Sequence, residues 1–511
     1  NRQDSWSHEY RFRAASGEYI NIFSRGYVVR GEDGEAVRSI GALLDVTDAR
    51  RAERELRWAA NHDPLTGLPN RKLFGEVLEA ALASEATDAK CVGVIVIDVD
   101  GFKLLNDSLG HAAGDQLLRT VAERLQANLP PDATVARLGG DEFAVIMTGL
   151  GRDEPLVPAA EAILNGVGDA LTIDEGVVEV SISAGAAIWP ADGQDAEALL
   201  KSADLALYAA KSDGAGGVRA FRADMREAAE SRKSMLREAR SALSDDRIIP
   251  FYQAKADLVT GEIVGFEALL RWHHHRRGLQ PPDAIRAAFE DTLLATALTD
   301  RMIDHVLADM ESLTEKGIAF GRIAINGSLA DFRRDDFADR ILTRFQQQGL
   351  PPTLLELEVT ESVFVDHLAA NVERALQTLA AEGVSIALDD FGTGYASLTH
   401  LQQFPVHVLK IDRSFISRLD TEESADFAIV HGVIDIARRM KIATVAEGVE
   451  NERQLGRLRE LGCDIGQGYL VSRAIGIERV PGWLKRWSQH PPAWSRVATS
   501  EPVGRQGGSG Q

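Results

Sequence analysis

The second half of the chain repeats one pattern, in which a short apolar, β-branched run is followed at once by a polar side chain. Amphipathic stretches of helical period fill most of the gaps between these runs. Alternating buried strands and helices are what a (β/α)8 barrel requires, and the active site of such a barrel lies at the carboxyl ends of its strands. The polar side chains that follow or end the apolar runs are Glu267, Asn326, Glu358, Asp389, Asp390, Lys410, Glu447 and Gln467.

Two of these carboxylates, Asp389 and Asp390, are adjacent in the chain. Neighbouring side chains of a regular strand point to opposite faces, so the two can converge only if the strand ends there. The segment Gly392-Thr393-Gly394 predicts that ending. Oxygen ligands gathered from several strands suit hard divalent cations such as Mg2+ or Mn2+ rather than zinc. Glu356 shares a strand face with Glu358 and is interpreted as a supporting or structural carboxylate.

These segments resemble the EAL family of cyclic di-GMP phosphodiesterases over roughly residues 235 to 490. A single motif would be weak evidence, whereas eight collinear motifs are strong evidence. The motifs are Phe251-Tyr252-Gln253, Glu267-Ala268-Leu269-Leu270-Arg271-Trp272, Asn326-Gly327-Ser328, Glu358-Val359-Thr360-Glu361, Asp389-Asp390-Phe391-Gly392-Thr393-Gly394, Leu409-Lys410-Ile411-Asp412, Ala446-Glu447-Gly448-Val449-Glu450 and Gly466-Gln467-Gly468-Tyr469.

The EAL resemblance implies hydrolysis of one phosphodiester of cyclic di-GMP to linear pGpG. It implies that Lys410 steadies the attacking water and the developing negative charge. Glu447 would act as general base or complete the metal shell, and Glu361 would anchor the loop after Asp390. Two Mg2+ or Mn2+ ions would be held by Glu267, Asn326, Glu358, Asp389 and Asp390, and the substrate would contact Gln253, Arg271 and Gln467.

A second site is predicted in the first half of the chain. Residues 92 to 97 read as a buried strand that ends in Asp98-Val99-Asp100, and a helix is predicted from about Ala112 to Leu129. Two further apolar runs are joined by Gly139-Gly140-Asp141. This glycine pair predicts a tight hairpin that carries Asp141 toward Asp98. Two carboxylates so placed suit cations that bridge a nucleotide triphosphate.

Motifs around this second site run in order over roughly residues 60 to 222. They are Asp63-Pro64-Leu65-Thr66-Gly67-Leu68-Pro69-Asn70-Arg71, Asp98-Val99-Asp100-Gly101-Phe102-Lys103, Asn106-Asp107, Gly110-His111, Gly114-Asp115, Arg137-Leu138-Gly139-Gly140-Asp141-Glu142-Phe143 and Ala203-Asp204-Leu205-Ala206-Leu207-Tyr208-Ala209-Ala210-Lys211. The segment thereby resembles the GGDEF family of diguanylate cyclases, whose fold is a palm-like βαββαβ domain. The resemblance implies that two facing domains, each holding one GTP with two Mg2+ or Mn2+ ions, join the two nucleotides into cyclic di-GMP.

The GGDEF resemblance also implies a role for individual residues. It places Asp98, the Val99 carbonyl and Asp141 at the metals, Asn106 and Asp115 on guanine, Lys103 and Lys211 on phosphates, and Glu142 in the catalytic turn.

Two departures from the GGDEF pattern bear on activity. After Lys211 the family usually has an arginine and an asparagine near the positions held here by Ala215 and Gly216. The missing charged hydrogen bond is worth about 1.5 to 3 kcal/mol, so GTP binding should be weaker. The inhibitory product site, an Arg-x-x-Asp ahead of the glycine pair, is replaced by residues 130 to 133, Pro-Pro-Asp-Ala. We therefore expect no feedback inhibition through it.

The flanking segments complete an α/β multidomain chain. Turn sequences at Ser16-Gly17 and at residues 31–34 separate three predicted strands, which resemble the C-terminal part of a PAS sensor domain; a stray antiparallel meander is the alternative. The next stretch has apolar residues at spacings of three and four, which predicts a coiled-coil seam pairing two protomers, with a lone solvated helix nearly as well supported. The seam residues are Ala49, Ala52, Leu56 and Ala59. The predicted layout is a PAS part at 1–46, a signalling helix at 47–62, a GGDEF domain at 63–222, a helical linker at 223–244, an EAL barrel at 245–490 and a disordered tail at 491–511.

Composition limits the partners and the compartment. A formal net charge of −21 over 511 residues argues against nonspecific binding to nucleic acid or an anionic membrane surface. It does not exclude a phosphate-bearing small molecule, because metal ions can invert the local field. Cys91 and Cys463 lie in apolar contexts and predict reduced thiols in a cytoplasm. No apolar run is long enough to cross a membrane, but the chain begins at Asn1 in what resembles the middle of a domain, so an upstream inner-membrane anchor stays open.

Three functions are compatible with these motifs. The first is a bifunctional enzyme that makes and breaks cyclic di-GMP, since neither motif set lacks an essential acid. The second is a phosphodiesterase whose GGDEF domain only binds GTP as a regulator, which the loss of arginine near position 215 supports. The third is a catalytically silent cyclic di-GMP receptor, which the presence of all the metal acids disfavours.

Overall fold

The computed structural model describes residues 5–32, 34–88, 90–151, 156–168, 171–173, 176–178, 180–212, 214, 216–364, 369–392, 398–419, 425–491 and 493–496. The chain divides into two compact units, Asn1–Glu230 and Ser231–Gln511. Thr393 and Gly394 of the predicted strand ending, Ala215 and the segment 497–511 of the predicted tail lie outside the described residues.

The first unit begins with an antiparallel meander in the order β1-β2-β3, followed by a helix. These elements are β1 (Ser5–Arg13), β2 (Tyr19–Arg30), β3 (Ala36–Asp45) and α1 (Thr47–Asn61). The three strands agree with the predicted ones, and Gly17 makes the first turn possible with its φ of +90°. Helix α1 buries none of its residues, and Leu56 of the predicted seam is 71% exposed.

A five-stranded sheet in the order β10-β9-β4-β6-β5 is the centre of the rest of the first unit, which also contains helices and a two-stranded sheet, β7-β8. Its central strand β4 is buried at every residue because helices cover both faces of an apolar run. The succession β4, helices, β5, β6, α5, β9 is the predicted βαββαβ pattern. The elements are α2 (Arg71–Asp88), β4 (Cys91–Val99), α3 (Phe102–Leu109), α4 (His111–Asn128), β5 (Thr134–Gly139), β6 (Glu142–Leu150), α5 (Leu156–Val167), β7 (Leu171–Ile173), β8 (Gly176–Val178), β9 (Ile182–Trp189), α6 (Ala196–Ser212) and β10 (Val218–Ala220).

The second unit is the predicted barrel. Its strands close in the order β11-β19-β18-β17-β16-β15-β14-β12, with β12 pairing back to β11 and with β13 attached to β12. One feature was not predicted: β11 runs antiparallel to both of its neighbours, whereas the other strands of the ring run parallel.

The elements of this unit follow the barrel succession. They are α7 (Ala223–Ser244), whose residues 223–230 belong to the first unit, β11 (Ile248–Asp257), β12 (Ile263–His274), β13 (Gly278–Gln280), α8 (Ala287–Glu290), α9 (Thr292–Glu315), β14 (Arg322–Gly327), α10 (Leu329–Phe332), α11 (Phe337–Gln347), β15 (Leu355–Thr360), α12 (Ala369–Ala381), β16 (Ser385–Phe391), α13 (Leu398–Gln403), β17 (Val408–Ile411), α14 (Arg413–Ile416), α15 (Ala425–Met440), β18 (Ala443–Ala446), α16 (Glu452–Leu461), β19 (Ile465–Gln467) and α17 (Val480–Gln489).

The segment predicted as a disordered tail needs a correction at its start. Residues 493–496 form a 3-10 turn, and Trp494 is buried. Its ring packs edge-on against Trp487 at 5.7 Å, and the Arg459 guanidinium lies 5.5 Å from its centroid. The Pro and Gly content of the tail led to the prediction of disorder. One large aromatic ring nevertheless buries enough apolar area to hold a short segment in place. In the part of the chain described, no helix combines the length and the apolar character needed to cross a membrane.

Candidate active site

The barrel brings its predicted polar residues together at one rim. Parallel strands end on the same side, so the residues at their carboxyl ends face a common space. The cavity there has a volume of about 260 Å3. It is lined by Gln253, Glu267, Leu269, Asp389, Arg413, Glu447, Gly448, Glu450, Gln467, Gly468 and Tyr469.

Lys410 is the centre of this arrangement. Its ammonium lies 2.6 Å from Glu358 Oε2, 2.6 Å from Glu447 Oε1 and 3.1 Å from Asp389 Oδ1, with Glu267 Oε2 at 3.9 Å. Burial by itself would lower the pKa of Lys410, but the surrounding carboxylates, led by Glu267, hold the pKa well above its usual value. The side chain is 1% exposed and stays charged.

Glu267 is held by amides from two other strands. Asn326 Nδ2 donates to Glu267 Oε1 at 3.0 Å, and Gln467 Nε2 donates to Glu267 Oε2 at 2.5 Å and to Gln253 Oε1 at 3.2 Å. Burial would raise the pKa of Glu267, but Lys410 and these two hydrogen bonds outweigh it and lower the pKa to about 2. The carboxylate is therefore ionised and fixed in orientation.

Asp389 and Asp390 converge, but not for the predicted reason. Strand β16 ends at Phe391, directly before Gly392 as predicted, but this is one residue beyond the pair, and the pairing with β17 is irregular there. Asp390 has a φ of +55°, which turns its side chain away from the alternation of a regular strand. As a result, Asp389, Asp390 and Glu447 each offer a carboxylate oxygen within 4.8 Å of the others.

The charges of the site fit divalent cations. Among the described residues, a cluster of carboxyl groups lies around the ammonium groups of Lys255 and Lys410. Burial, and then repulsion by Glu267, raises the pKa of Glu358 well above its usual value. Burial likewise raises the pKa of Glu447 to about 7 against the pull of Lys410. The carboxyl groups are Glu267, Glu356, Glu358, Asp389, Asp390 and Glu447. This surplus of hard oxygen donors is the chemistry that Mg2+ and Mn2+ prefer.

The described residues include Glu361, predicted to anchor a loop, and Arg271, predicted to contact the substrate. Glu361 is buried and its Oε1 accepts a hydrogen bond of 2.9 Å from the Gly392 amide, which links it to the chain just after Asp390. Arg271 donates to the Leu270 carbonyl at 2.8 Å, and burial lowers its pKa. Arg271 lies on β12, the strand that also carries Glu267.

Residues that sequence reasoning missed also contact the site. Lys255 is 3% exposed and its ammonium contacts both Glu356 and Glu358. The strand period offered a signal, because Gln253 and Lys255 occupy alternate positions of β11 and so share a face. At the rim, Arg413 pairs with Glu450 at 2.7 Å, and both line the cavity.

The first unit places its predicted acids at the end of β4 and in the β5–β6 hairpin. Glu142 lies opposite Asp98 in the sheet, and Gly140 takes a φ of +55° in the turn that presents Asp141. Lys211 Nζ lies 2.6 Å from Asp98 Oδ1. Burial raises the pKa of Asp98, and the neighbouring Asp141 adds to the effect while Lys211 opposes it.

A polar atom near this site has no partner in the described residues. Asn106 Oδ1 is buried without a hydrogen bond. The room for its side chain comes from Gly114, since a Cβ there would lie 2.0 Å from Asn106 Oδ1. Asp115 and Lys103 are exposed, so they are not held against Asn106 by packing. An orphaned buried carbonyl calls for a donor such as the edge of a base.

Neighbouring side chains support these acids. Asp100 accepts hydrogen bonds from Ser181 and Ser183, both at 2.8 Å, and from the Gly216 amide at 3.0 Å. Glu142 pairs with Arg71 at 3.3 Å. The hydrogen bond from the Gly216 amide links one of the two positions that depart from the GGDEF pattern to Asp100, just after β4.

Comparisons with known proteins place both sites in described families. Residues 236–474 match the family described as "EAL domain", residues 60–216 match "Diguanylate cyclase, GGDEF domain", and residues 1–43 match "PAS fold". A solved structure titled "PaMucR Phosphodiesterase, c-di-GMP complex" is 36% identical, covers 48% of this chain and 99% of that chain, and has a TM-score of 0.46.

Several relatives match most of this chain. The bifunctional diguanylate cyclase/cyclic di-GMP phosphodiesterase MucR of Pseudomonas aeruginosa is 37% identical over 87% of this chain and 66% of its own length. The cyclic di-GMP phosphodiesterase NbdA of the same organism is 36% identical over 89% and 58%. The uncharacterized protein Rv1354c of Mycobacterium tuberculosis is 35% identical over 86% and 70%. The chain thus spans roughly three fifths of the length of the curated relatives it matches.

Proposed function

Because this chain belongs to the family of proteins that join a GGDEF domain to an EAL domain, we propose that it hydrolyses cyclic di-GMP to pGpG in its barrel and makes cyclic di-GMP from two GTP molecules in its GGDEF domain. One observation carries the barrel activity: the carboxylates of four residues, each on or directly after a different strand, converge on the buried ammonium of Lys410. Related proteins that are named as phosphodiesterases support it.

The barrel residues suit an in-line attack of water on a phosphodiester. The oxygen ligands for two Mg2+ or Mn2+ ions would come from Glu267, Asn326, Glu358, Asp389 and Asp390. The chemistry supplied by such ions would be Lewis-acid activation of a water and of the phosphoryl group. Lys410 remains charged in a dry site and stabilises the negative charge that develops in the transition state.

Other residues move the proton and hold the substrate. Glu447, with its pKa raised to about 7 by burial, can accept a proton from the water near neutral pH. Arg271 supplies a positive charge for a phosphate, while Gln253 and Gln467 reach the cavity from the adjacent strands β11 and β19. Glu361 holds the Gly392 amide and thereby the backbone next to Asp390.

The GGDEF activity rests on separate residues. Asp98, the Val99 carbonyl and Asp141 would hold the ions that accompany GTP, with Glu142 in the same turn. The unpaired buried carbonyl of Asn106 supports guanine recognition together with Asp115. Lys103 and Lys211 would bind phosphates, and Lys211 would exchange its pairing with Asp98 for the nucleotide. Because one domain holds one GTP, synthesis requires a homodimer, for which the exposed face of α1 is the candidate seam.

A second candidate function is a phosphodiesterase whose GGDEF domain only binds GTP. The chain has Ala215 and Gly216 where the family usually has an arginine and an asparagine, which favours this reading. Incubation with GTP alone and with cyclic di-GMP alone, each with Mn2+ or Mg2+, distinguishes the two. Bifunctionality predicts both products, regulation predicts pGpG alone, and absence of pGpG would contradict the proposed function in either form.

A further inference from the structure

Lys255 is a buried charge for which the proposed reaction has no role. It lies on β11, where its backbone pairs with that of Gln467. The outward residues of this strand, such as Tyr252 and Ala254, belong to the apolar core between the barrel and its helices. Lys255 alternates with them and points into the barrel, with 3% of its surface exposed.

The lysine reaches across the interior of the barrel. Strands β12 and β14 lie between β11 and β15 in the ring, yet Lys255 Nζ contacts Glu356 Oε1 and lies 3.4 Å from Glu358 Oε1, both on β15. The second oxygen of Glu356 accepts a hydrogen bond of 3.1 Å from Ser385 Oγ on β16. Three strands are therefore joined by one polar chain.

This chain ends on a carboxylate assigned above to metal binding. Glu358 is fully buried, with Lys255 facing its Oε1 and Lys410 facing its Oε2 at 2.6 Å. A carboxylate between two ammonium groups from different strands has little freedom to rotate. Its orientation is set by both lysines, only one of which contacts the other acids of the rim.

The Lys255–Glu356 pair is a costly choice for a barrel interior. Neighbouring inward positions on β16, β17 and β18 hold Ala387, Val408 and Val445, which pack together as a small apolar cluster. Two charges taken out of water lose solvation that their attraction repays only in part, and apolar pairs in such places are often as stable or more so. The Lys255–Glu356 pair is therefore better explained by a role in the candidate active site than by a contribution to the stability of the fold.

We propose that Lys255, supported by Glu356 and Ser385, is a positioning residue that orients Glu358 to receive a divalent cation. The inference rests on the proposed function, because it assumes that Glu358 is a metal ligand. It assigns Lys255 no contact with substrate. Partners that orient a metal ligand typically change metal affinity 10- to 100-fold when removed.

The test replaces the pair as a unit. Lys255→Met combined with Glu356→Leu leaves no unpaired charge, so the double variant should fold with a melting temperature equal to or above that of the wild type. Mn2+ binding is measured by calorimetric titration without nucleotide, and the barrel sites are identified as those that Glu267→Ala abolishes. The Kd of these sites should be raised about 10- to 100-fold in the double variant. Hydrolysis should recover toward the wild-type rate when Mn2+ is saturating.

Two further variants and the wild type complete the design. Lys485→Met removes an exposed lysine of α17 and should leave Mn2+ affinity unchanged. Ser385→Ala removes only the last link and should cause a smaller rise in Kd, which keeps the test available should the double variant fail to fold. The role of Lys255 would be overturned if both the double variant and the Ser385 variant bound Mn2+ with wild-type affinity. If the double variant did not fold, wild-type affinity in the Ser385 variant would be enough to overturn it. A wild-type chain without a barrel Mn2+ site would overturn the proposed function as well.

Discussion

Lys410 and Glu358 form an ion pair of 2.6 Å in which neither side chain reaches solvent. Both residues come from barrel strands that are not neighbours, β17 and β15, with β16 between them. The ion pair links β15 to β17 electrostatically. It also makes the barrel sensitive to substitution, because removing either partner leaves a buried unpaired charge.

Replacing Lys410 with methionine should affect both stability and catalysis. Loss of the ammonium leaves the oxygens of Glu358, Asp389 and Glu447 without the cation that they share, and breaking a buried pair typically costs about 3 to 5 kcal/mol. Hydrolysis of cyclic di-GMP should fall at least about 100-fold, the usual cost of losing a charge-stabilising donor. Added Mn2+ should raise the melting temperature of the variant more than that of the wild type, since the cation replaces the lost charge. Equal shifts in the two proteins would contradict this account.

Two substitutions of Asp390 should distinguish its effect on backbone strain from its role as a metal ligand. Its φ of +55° is a conformation that Asn tolerates nearly as well as Asp, whereas Ala is less comfortable by roughly 1 kcal/mol. Asp390→Asn should therefore keep the free energy of unfolding close to that of the wild type and lose hydrolysis. Asp390→Ala should lose hydrolysis and also unfold more easily. Urea unfolding of both variants checks the prediction, and identical stabilities would show that the conformation carries no strain.

Gly114 should be needed for GTP and not for the barrel reaction. An added Cβ would lie 2.0 Å from Asn106 Oδ1, so Gly114→Ala displaces the side chain expected on guanine. Binding of a fluorescent GTP analogue should weaken at least about tenfold, the equivalent of about 1.4 kcal/mol. Hydrolysis of cyclic di-GMP should persist.

The matched control for Gly114 lies in the same unit. Gly75 is also helical, and a Cβ there would meet nothing within 4 Å. Gly75→Ala should leave GTP binding unchanged and stabilise α2 by up to about 1 kcal/mol, because Ala is the better helix former. Equal GTP affinity in the two variants would remove Asn106 from the guanine site.

The two cysteines should be inert in the folded protein. Cys463 is 2% exposed, and burial raises the pKa of its thiol to about 11, so at pH 8 only roughly one molecule in a thousand carries the reactive thiolate. Cys91 is also buried, with 6% of its surface exposed. Titration with a chromogenic disulfide reagent at pH 8 should detect no fast thiol in the native state and two after denaturation. A fast native thiol would show that one of these cores opens readily.

The sequence by itself determined the kinds of chemistry and their order along the chain. Charged groups after apolar runs, at Glu267, Asp389 and Glu447, were enough to predict a barrel whose strand ends carry acids, because strand alternation and parallel packing are local and repetitive rules. The glycine pair at 139–140 predicted its hairpin for the same reason. Composition-based reasoning failed at Trp494, where a single buried ring outweighs the character of its surroundings.

Only the tertiary structure decided which of these groups touch. The antiparallel direction of β11 and its closure against β19 send Lys255 across the barrel to Glu356, a contact between residues 101 positions apart that no spacing rule encodes. The positive φ of Asp390 coincides with an irregularity in the pairing of β16 with β17, which the adjacent residues did not predict. Strand direction, register and the path of a long side chain through a closed interior are set by packing of the whole barrel, and the electrostatics of Lys410 follows from that packing.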